Sequence, residues 1–295
     1  MSPDSPVDVV VVSYNSNSSL RRCVEGLADV ECLTVIIVDN ASTDETVASI
    51  SDLPVRILVL EENIGFGGGC NVGWRAGTSP HVLFLNPDAH MEAADVLQLS
   101  AFMTGTSAGA VAPRIVNSSG TTDWSLRRFP EVRSIFGQAL FAHRWLRQAD
   151  WVDEVIRDPV AYEEEGACDW ASGACLLVRR ESLERLQGFD EEFFMYCEDV
   201  DLCKRLWDRG EAVLYTPGVQ CVHAGGASAP RSSLVETLAR SRIRYAQKHF
   251  GPWRAAAYRA GVGLNALTHV LVGRGCRARL GHAHALRAVL RSSQA

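Results

Sequence analysis

Residues 7–13, VDVVVVS, form a short β-branched run that stops at Tyr14-Asn15-Ser16-Asn17, after which Leu20, Cys23, Val24 and Leu27 recur at helical spacing. The pattern predicts a strand, a loop and a helix, and the unit repeats. Residues 33–38 predict a second strand, and Ser42 and Glu45 stand at capping-box spacing ahead of a helix to about residue 51. Residues 55–60 give a third strand, a glycine-rich stretch leads into a helix around 71–76, and 82–85 make a fourth strand. Strands that alternate with helices and run apolar without a polar face are buried on both sides. The expected fold class is therefore α/β, a mostly parallel central sheet with helices on both faces.

Beyond residue 105 the alternation breaks. Residues 108–116 predict a strand, whereas 120–167 mix Trp, Arg, Pro and acidic residues without a period and predict irregular structure. A strand at 174–178, helices at 181–186 and 200–209, and short strands at 212–215 and 219–223 follow. The last part holds helical candidates at 234–249, 253–272 and 282–291. In 253–272, Arg254, Arg259, Asn265 and His269 interrupt the apolar residues, so no stretch reaches the roughly 18 to 20 residues of a membrane span. Trp253, Tyr258, Leu264, Leu267 and Leu271 fit one face of that helix with arginines at its margin; lying on a membrane surface and packing back on the body both remain open. The expected domains are 1–230, with a first half at about 1–115 and a second at about 116–230, and a basic C-terminal helical extension at 231–295.

Composition sharpens this picture. With 295 residues, 47% of them hydrophobic and 22% charged, the chain has a globular composition. The net charge of −6 conceals an asymmetry: residues 241–295 carry ten arginines and lysines and no carboxylate, which leaves −16 on the first 240 residues. Such a body repels nucleic acid, while the tail suits anionic lipid or a phosphate-bearing substrate. Nine scattered cysteines with no Cys-x-x-Cys pair predict reduced, mostly buried thiols rather than disulfides or structural zinc. No basic segment precedes the first apolar run, so the expected location is cytoplasmic, with the inner membrane face open to the tail.

In parallel sheets ligands bind beyond the carboxyl ends of the strands, here Ser13-Tyr14-Asn15, Asp39-Asn40 and Asn86-Pro87-Asp88. The stretch ENIGFGGGCNVG (62–73) is not a dinucleotide fingerprint, because counting from Gly65 or from Gly67 puts Cys70 or Val72 at the third glycine; no Gly-Lys-Ser/Thr follows either. It reads as a loop that a ligand can approach closely, with Asn71 to hydrogen-bond. In FLNPDA (84–89), Pro87 ends the strand and leaves Asp88 as a hard oxygen donor for a hydrated divalent cation, or as a turn former. Glu198 and Asp199 open the 200–209 helix. The helix dipole accounts comfortably for one of the carboxylates at 198, 199 and 201; a rigidly held general base accounts for another. His223 ends a strand ahead of Gly225 and Gly226 and fits either a ligand or a structural role.

Taken together, VVVVSYN, VDNASTD, NIGFGGGCNVG, FLNPDA, WASGACLLVRR, GFDEEFFMYCEDVDLCKRL and VHAGG resemble, in this order, the family 2 glycosyltransferases, and most of all their bacterial rhamnosyltransferase-type members. The resemblance spans roughly residues 7–250. It implies a GT-A fold, a nucleotide-sugar donor, Mg²⁺ or Mn²⁺, and inversion at the anomeric carbon. By position it implies that Ser13, Tyr14, Asp39, Asn63, Gly65, Asn71, Asn86 and Asp88 bind the nucleotide and donor, and that Trp170, Ser172, Gly173 and Glu198 line the sugar and acceptor pocket. Asp199 would be the general base, and Asp88 with His223 the metal or diphosphate contacts. Two departures stand out: Asn86 replaces the first Asp of an Asp-x-Asp pair, and Cys70 replaces an Arg before the Asn. The physics agrees with a cation, since two unit charges about 4 Å apart cost about 4 kcal/mol at an effective dielectric of 20, and the acidic body alone would repel a diphosphate.

The expected donor is dTDP-L-rhamnose, with UDP-sugars as alternatives, and the expected acceptor is a polyprenyl-diphosphate-linked saccharide or else a soluble small molecule. A non-catalytic nucleotide-sugar binder and a nucleotidyltransferase are the competing classes; the latter needs a basic triphosphate loop that residues 13–20 lack. A homodimer is compatible with the sequence.

Overall fold

A computed structural model describes residues 5–146, 149, 151–224, 231–272 and 276–291. The elements, in order, are β1 (Val7–Ser13), α1 (Leu20–Val24), β2 (Leu33–Asp39), β3 (Arg56–Val59), α2 (Gly65–Ala76), β4 (His81–Leu85), β5 (Ala89–His90), α3 (Ala93–Thr104), β6 (Ala110–Val116) and β7 (Leu126–Arg127). They continue with α4 (Val132–Ala139), β8 (Gly166–Ala167), β9 (Trp170–Ala171), β10 (Cys175–Arg179), α5 (Arg180–Leu186), α6 (Glu198–Asp208), β11 (Val213–His223), α7 (Arg231–His249), α8 (Pro252–Val272) and α9 (Cys276–Arg291). Two compact units result: residues 1–127, 157–192 and 198–228 form one, and 128–156, 193–197 and 229–295 the other.

The first unit is built on a sheet of order β3-β2-β1-β4-β10-β6-β11-β5, with β8 added on β11. Strands β3, β2, β1 and β4 are parallel, β10 runs against both β4 and β6, and β11 is parallel to β6. The carboxyl ends of β1, β2, β4 and β11 thus share one edge with the amino end of β10. Every residue of β1 is buried because both faces are covered. Val7, Val9 and Val11 join the core with residues of α1 and α3, while Val10 and Val12 meet α2. Asp8, in the middle of that strand, is held by Arg180 at 2.6 Å and by the Ser79 amide and hydroxyl at 2.9 and 2.7 Å.

Four local expectations are corrected. The glycine-rich stretch is the first part of α2 rather than a loop, because glycines let this helix lie close on the sheet: a Cβ at Gly69 would stand 2.7 Å from Val12, and one at Gly73 2.3 Å from Val10. The Ser42–Glu45 box opens no α-helix; the Ser42 hydroxyl donates to Asp39 instead, and only a 3-10 turn at Ala48–Ile50 forms. Within 120–167 lie α4 and two two-residue strands, β7 and β8, too short to carry a period. The two short strands at 212–223 are one, β11, with a register irregularity between Thr216 and Gln220 where Pro217 interrupts the ladder.

The second unit packs α4, α7, α8 and α9 around Ile135, Ile243, Ala246, Tyr258, Val262, Ala266, Ala285 and Val289. Arg242 reaches Glu154 at 3.6 Å inside it, and the Ser241 hydroxyl donates to the Met195 carbonyl at 2.7 Å. Tyr258 is in this core, so α8 does not present it on one face with the exposed Trp253 and Leu271. Among the described residues no helix is long and apolar enough to cross a membrane.

Gly73→Ala is expected to lower stability by about 1–3 kcal/mol through overpacking against Val10, despite alanine's better helix propensity. Gly26→Ala, with nothing within 4 Å of its Cβ, is the near-neutral control; equal denaturation midpoints for the two variants would refute the close approach of α2.

Candidate functional site

The register aligns Ser13 with Asp39, the last residues of β1 and β2. Both are buried, and the Ser13 hydroxyl donates to Asp39 Oδ1 at 3.2 Å. The Ser42 amide and hydroxyl add bonds of 3.0 and 2.5 Å to the same carboxylate. Asn15 turns left-handed after β1 and accepts the Thr43 amide at 2.8 Å, which ties the two strand-end loops together. Tyr14 stays exposed beside them.

Asn40 links this corner to α2. Its amide donates to Asn63 Oδ1 and to the Gly65 carbonyl, both at 3.0 Å, and accepts from the Ile64 amide at 2.9 Å. Asn63 also accepts the amide of Gly65, whose φ of 82° is the left-handed turn a glycine tolerates. Asn71 is directed elsewhere: its Nδ2 donates to the Phe189 carbonyl and Glu191, and its Oδ1 accepts from the Phe189 amide and Trp74 Nε1. All four of its hydrogen-bonding positions are filled by protein.

Asp88 and His223 are brought together by β5. Ala89 pairs with His223 across the β5–β11 ladder, the Ala224 amide donates to the Asp88 carbonyl at 3.2 Å, and Asp88 Oδ1 lies 3.2 Å from His223 Nε2. Burial alone would raise the Asp88 carboxyl; the hydrogen bond and charge of His223, with a backbone amide, outweigh it and hold the carboxyl below its ordinary range. The glycines at 225 and 226 lie outside the described residues.

Asp199 stands at the N-terminus of α6, which the chain enters through two left-handed residues, Tyr196 and Cys197. The Gly173 amide donates to Asp199 Oδ2 at 3.0 Å and the Val200 amide to Oδ1 at 2.8 Å. A Cβ on Gly173 would come within 3.2 Å of the aspartate, so the two segments approach closely here. Of the other two acidic residues, Asp201 is ion-paired with Arg205 at 2.7 Å and is structural. Glu198 is only 6% exposed, and its Oε2 has no hydrogen-bond partner. Burial and the Asp199 charge push the Glu198 carboxyl well above its ordinary range. Burial raises Asp199 too, against the opposing pull of the Gly173 and Val200 amides and Arg127.

The two carboxylate clusters are joined through the backbone. The Asn86 amide donates to the Ala174 carbonyl at 2.9 Å, Leu85 pairs with Cys175, and the next residue back, Gly173, holds Asp199. Ser172 continues this strip, its amide donating to the Ser125 carbonyl at 3.3 Å, and Trp170 lies under the Arg127 guanidinium with 5.7 Å from Cζ to the ring centroid. One edge of the sheet therefore carries a carboxylate kept ionised beside an imidazole and a second carboxylate with raised proton affinity, an arrangement suited to separate electrostatic and acid–base tasks. Asn15 and Asn40 are among the strand-end positions read from the sequence, without a role assigned to either. Sequence reading missed Ser125 and Arg127, of which a two-residue strand gave no sign.

Comparison with known proteins agrees with this architecture. Residues 8–186 match the Glycosyl transferase family 2 description. The chain is 32% identical over 266 residues to an N-acetylglucosaminyl-diphospho-decaprenol L-rhamnosyltransferase of Mycobacterium tuberculosis, covering 84% of this chain and 86% of the relative. It is 26% identical to the rhamnosyltransferase WbbL of Escherichia coli, over 74% of this chain and 83% of that protein. The structure of a mannosyltransferase from Pyrobaculum calidifontis in complex with GDP-Man and Mn²⁺ superposes with a TM-score of 0.60 at 17% identity, over 99% of this chain and 89% of the other. The pattern at the strand ends, the match over residues 8–186 and the full-length relatives agree: the chain is a glycosyltransferase and belongs to glycosyl transferase family 2.

Proposed function

We propose that this enzyme transfers L-rhamnose from dTDP-L-rhamnose to a hydroxyl of a polyprenyl-diphosphate-linked saccharide, with inversion at the anomeric carbon. The observation that carries the reading is the pair of backbone bonds, Asn86 to Ala174 and Gly173 to Asp199, that tie the Asp88–His223 pair and Asp199 to one sheet edge. The rhamnosyltransferase relatives, named for such a donor sugar and in one case such an acceptor, supply the substrate class.

In this reading the nucleoside lies against Ser13, Tyr14 and Asp39, and Asn40 and Asn63 fix the loop beside it. Asn71 acts through the 188–191 turn that it orders. Asp88 and His223, whose carboxylate oxygen and imidazole nitrogen lie 3.2 Å apart, would hold a divalent cation that keeps its other positions for phosphate oxygens and water; no group of three His, Cys, Asp or Glu ligands stands there among the described residues. When bound, Mg²⁺ or Mn²⁺ there would neutralise charge on the departing diphosphate. Asp199 takes the proton of the acceptor hydroxyl as its oxygen attacks. Glu198 beside it is pushed up by burial and by the Asp199 charge, and its Oε2 finds no protein partner among the described residues. The Gly173 and Val200 amides fix the direction of the carboxylate. A base on the sugar face opposite the leaving group gives a single displacement and hence inversion.

The second unit is proposed to rest on the anionic membrane surface that holds such an acceptor. It carries sixteen arginines and lysines against five carboxylates. Phe141, His269 and His282 stack in sequence, which brings the exposed Leu140, Trp145 and Leu146 beside the end of α8 that bears Leu267 and Leu271.

Asp199→Asn is expected to lower kcat at least about 100-fold with the donor Kd nearly unchanged. Because Asp199 must be ionised and burial raises its proton affinity, the wild-type kcat/KM should fall as pH drops through a value above the ordinary aspartate pKa of about 3.9. Near-full activity of the variant, or an acid limb at or below the ordinary value, would remove Asp199 as the base. Chelation is expected to abolish transfer, and Mg²⁺ or Mn²⁺ to restore it; undiminished turnover in chelator contradicts the cation site. The full chain should sediment with vesicles containing anionic lipid and not with neutral ones. The double variant Trp145→Ser, Leu271→Ser should lose at least about 5-fold of that binding, and unchanged sedimentation would exclude this surface.

A further inference from the structure

The second carboxylate cluster has a cation beside it, Arg127, with no ion-pair partner among the described residues. Residues 125–127 run as an extended strip: Leu126 and Arg127 pair antiparallel with Ala171 and Trp170, and the Leu126 amide is anchored on the Tyr162 hydroxyl at 2.9 Å. Ser125 directly precedes this strand, and its carbonyl accepts the Ser172 amide at 3.3 Å. Arg127 lies over the Trp170 ring, which fixes the plane of its guanidinium, yet its buried Nε has no hydrogen-bond partner and no carboxylate stands within ion-pair distance among the described residues. Ser125 is 3% exposed, and its hydroxyl is also without a partner. Of the two carboxylates at the start of α6, Asp199 already accepts the Gly173 and Val200 amides, and burial pushes the Glu198 carboxyl up.

We propose that Arg127 and Ser125 form the subsite for the phosphate group of the acceptor, seated next to Asp199. The inference rests on the acceptor class proposed above and extends it to named residues. A phosphate approaching Asp199 meets repulsion from that charge, so an acceptor bearing one needs a fixed cation at the same place. A planar guanidinium offers two parallel N–H donors that match phosphate oxygens, and the serine hydroxyl adds a third donor. The donor's own diphosphate belongs to the Asp88–His223 end of the edge, which leaves this subsite to the acceptor. The strip Gly173-Ser172 connects the two, since Gly173 holds the base and the Ser172 amide bonds the Ser125 carbonyl. The acceptor hydroxyl and the acceptor phosphate are thus read by neighbouring parts of one short segment.

Two measurements test this. Binding of a short alkyl diphosphate to the full chain in chelator, followed by calorimetry, needs no catalysis and bypasses the cation site. Arg127→Gln is expected to weaken it at least about 10-fold, and Ser125→Ala about 2- to 5-fold. The second measurement compares transfer to the same saccharide carried on an alkyl diphosphate and on a neutral alkyl glycoside. Arg127→Gln should raise KM about 10-fold for the first acceptor, leave KM for the second within about 2-fold, and leave the donor KM unchanged. Arg127→Lys, which keeps the charge and loses the fork, should fall between and decides the matter where the glutamine variant does not fold. Equal losses with both acceptors would assign Arg127 to tuning Asp199 or to structure, and a raised donor KM would assign the anion to the donor; either result overturns the subsite. Alkyl diphosphate binding that depends on Arg127, in a protein that transfers sugar to neither acceptor, would uphold the subsite and refute the functional reading. Binding unaffected by Arg127, together with normal transfer, would do the reverse.

Discussion

A single backbone amide, that of Gly173, fixes where the carboxylate proposed as the base can be. Asp199 belongs to α6, far along the chain from the strands whose carboxyl ends carry Ser13 and Asp39. Its anchor on the strand side is the 3.0 Å bond from Gly173, on the segment that leads into β10. β10 runs against β4, so its beginning lies at the end of β4, one hydrogen bond from Asn86 and two residues from Asp88. Reversing one strand in an otherwise parallel run thereby brings Asp199 to the edge where the other strands end. A Cβ at 173 would stand 3.2 Å from the aspartate, so a side chain there would press on it.

The same edge separates two chemical tasks by environment. Asp88 and Asp199 are both partly buried aspartates, and burial drives both upward. At Asp88 a histidine reverses the outcome; at Asp199 two amides and an arginine only moderate it. The first carboxylate is kept as a charge and the second as a proton acceptor. Glu198 lies beside the second, its carboxyl pushed up by burial and by the Asp199 charge. The second unit adds a different kind of charge, an excess of arginine and lysine around an alanine-rich helical core, where the first unit is acidic.

Much of this was legible in the chain. The runs at 7–13, 33–38 and 82–85 gave the parallel strands to within a residue, because strands covered on both faces are continuously apolar. Asp88, Asp199 and His223 stood out because each interrupts or ends an apolar pattern. What stayed hidden depended on partners distant in sequence. Ser42 and Glu45 looked like a helix cap until Asp39 claimed the serine hydroxyl. The glycines at 65–73 looked like a loop because their purpose, letting α2 approach Val10 and Val12, lies in another element. Asn71 looked available for a ligand, and the turn at 188–191 occupies it. Arg127 could not be found from its surroundings at all: its strand is two residues long, and its meaning comes from Trp170 and Asp199.

The central claim is spatial: the departing diphosphate and the base stand on opposite faces of one sugar. The stereochemistry of the product reads that geometry directly. Proton and carbon NMR of the purified product, with the anomeric coupling compared with that of the nucleotide-sugar donor, should show a single anomer of inverted configuration. A product that keeps the donor's anomeric configuration would contradict the account, because a base placed across the sugar from the leaving group cannot yield it in one displacement.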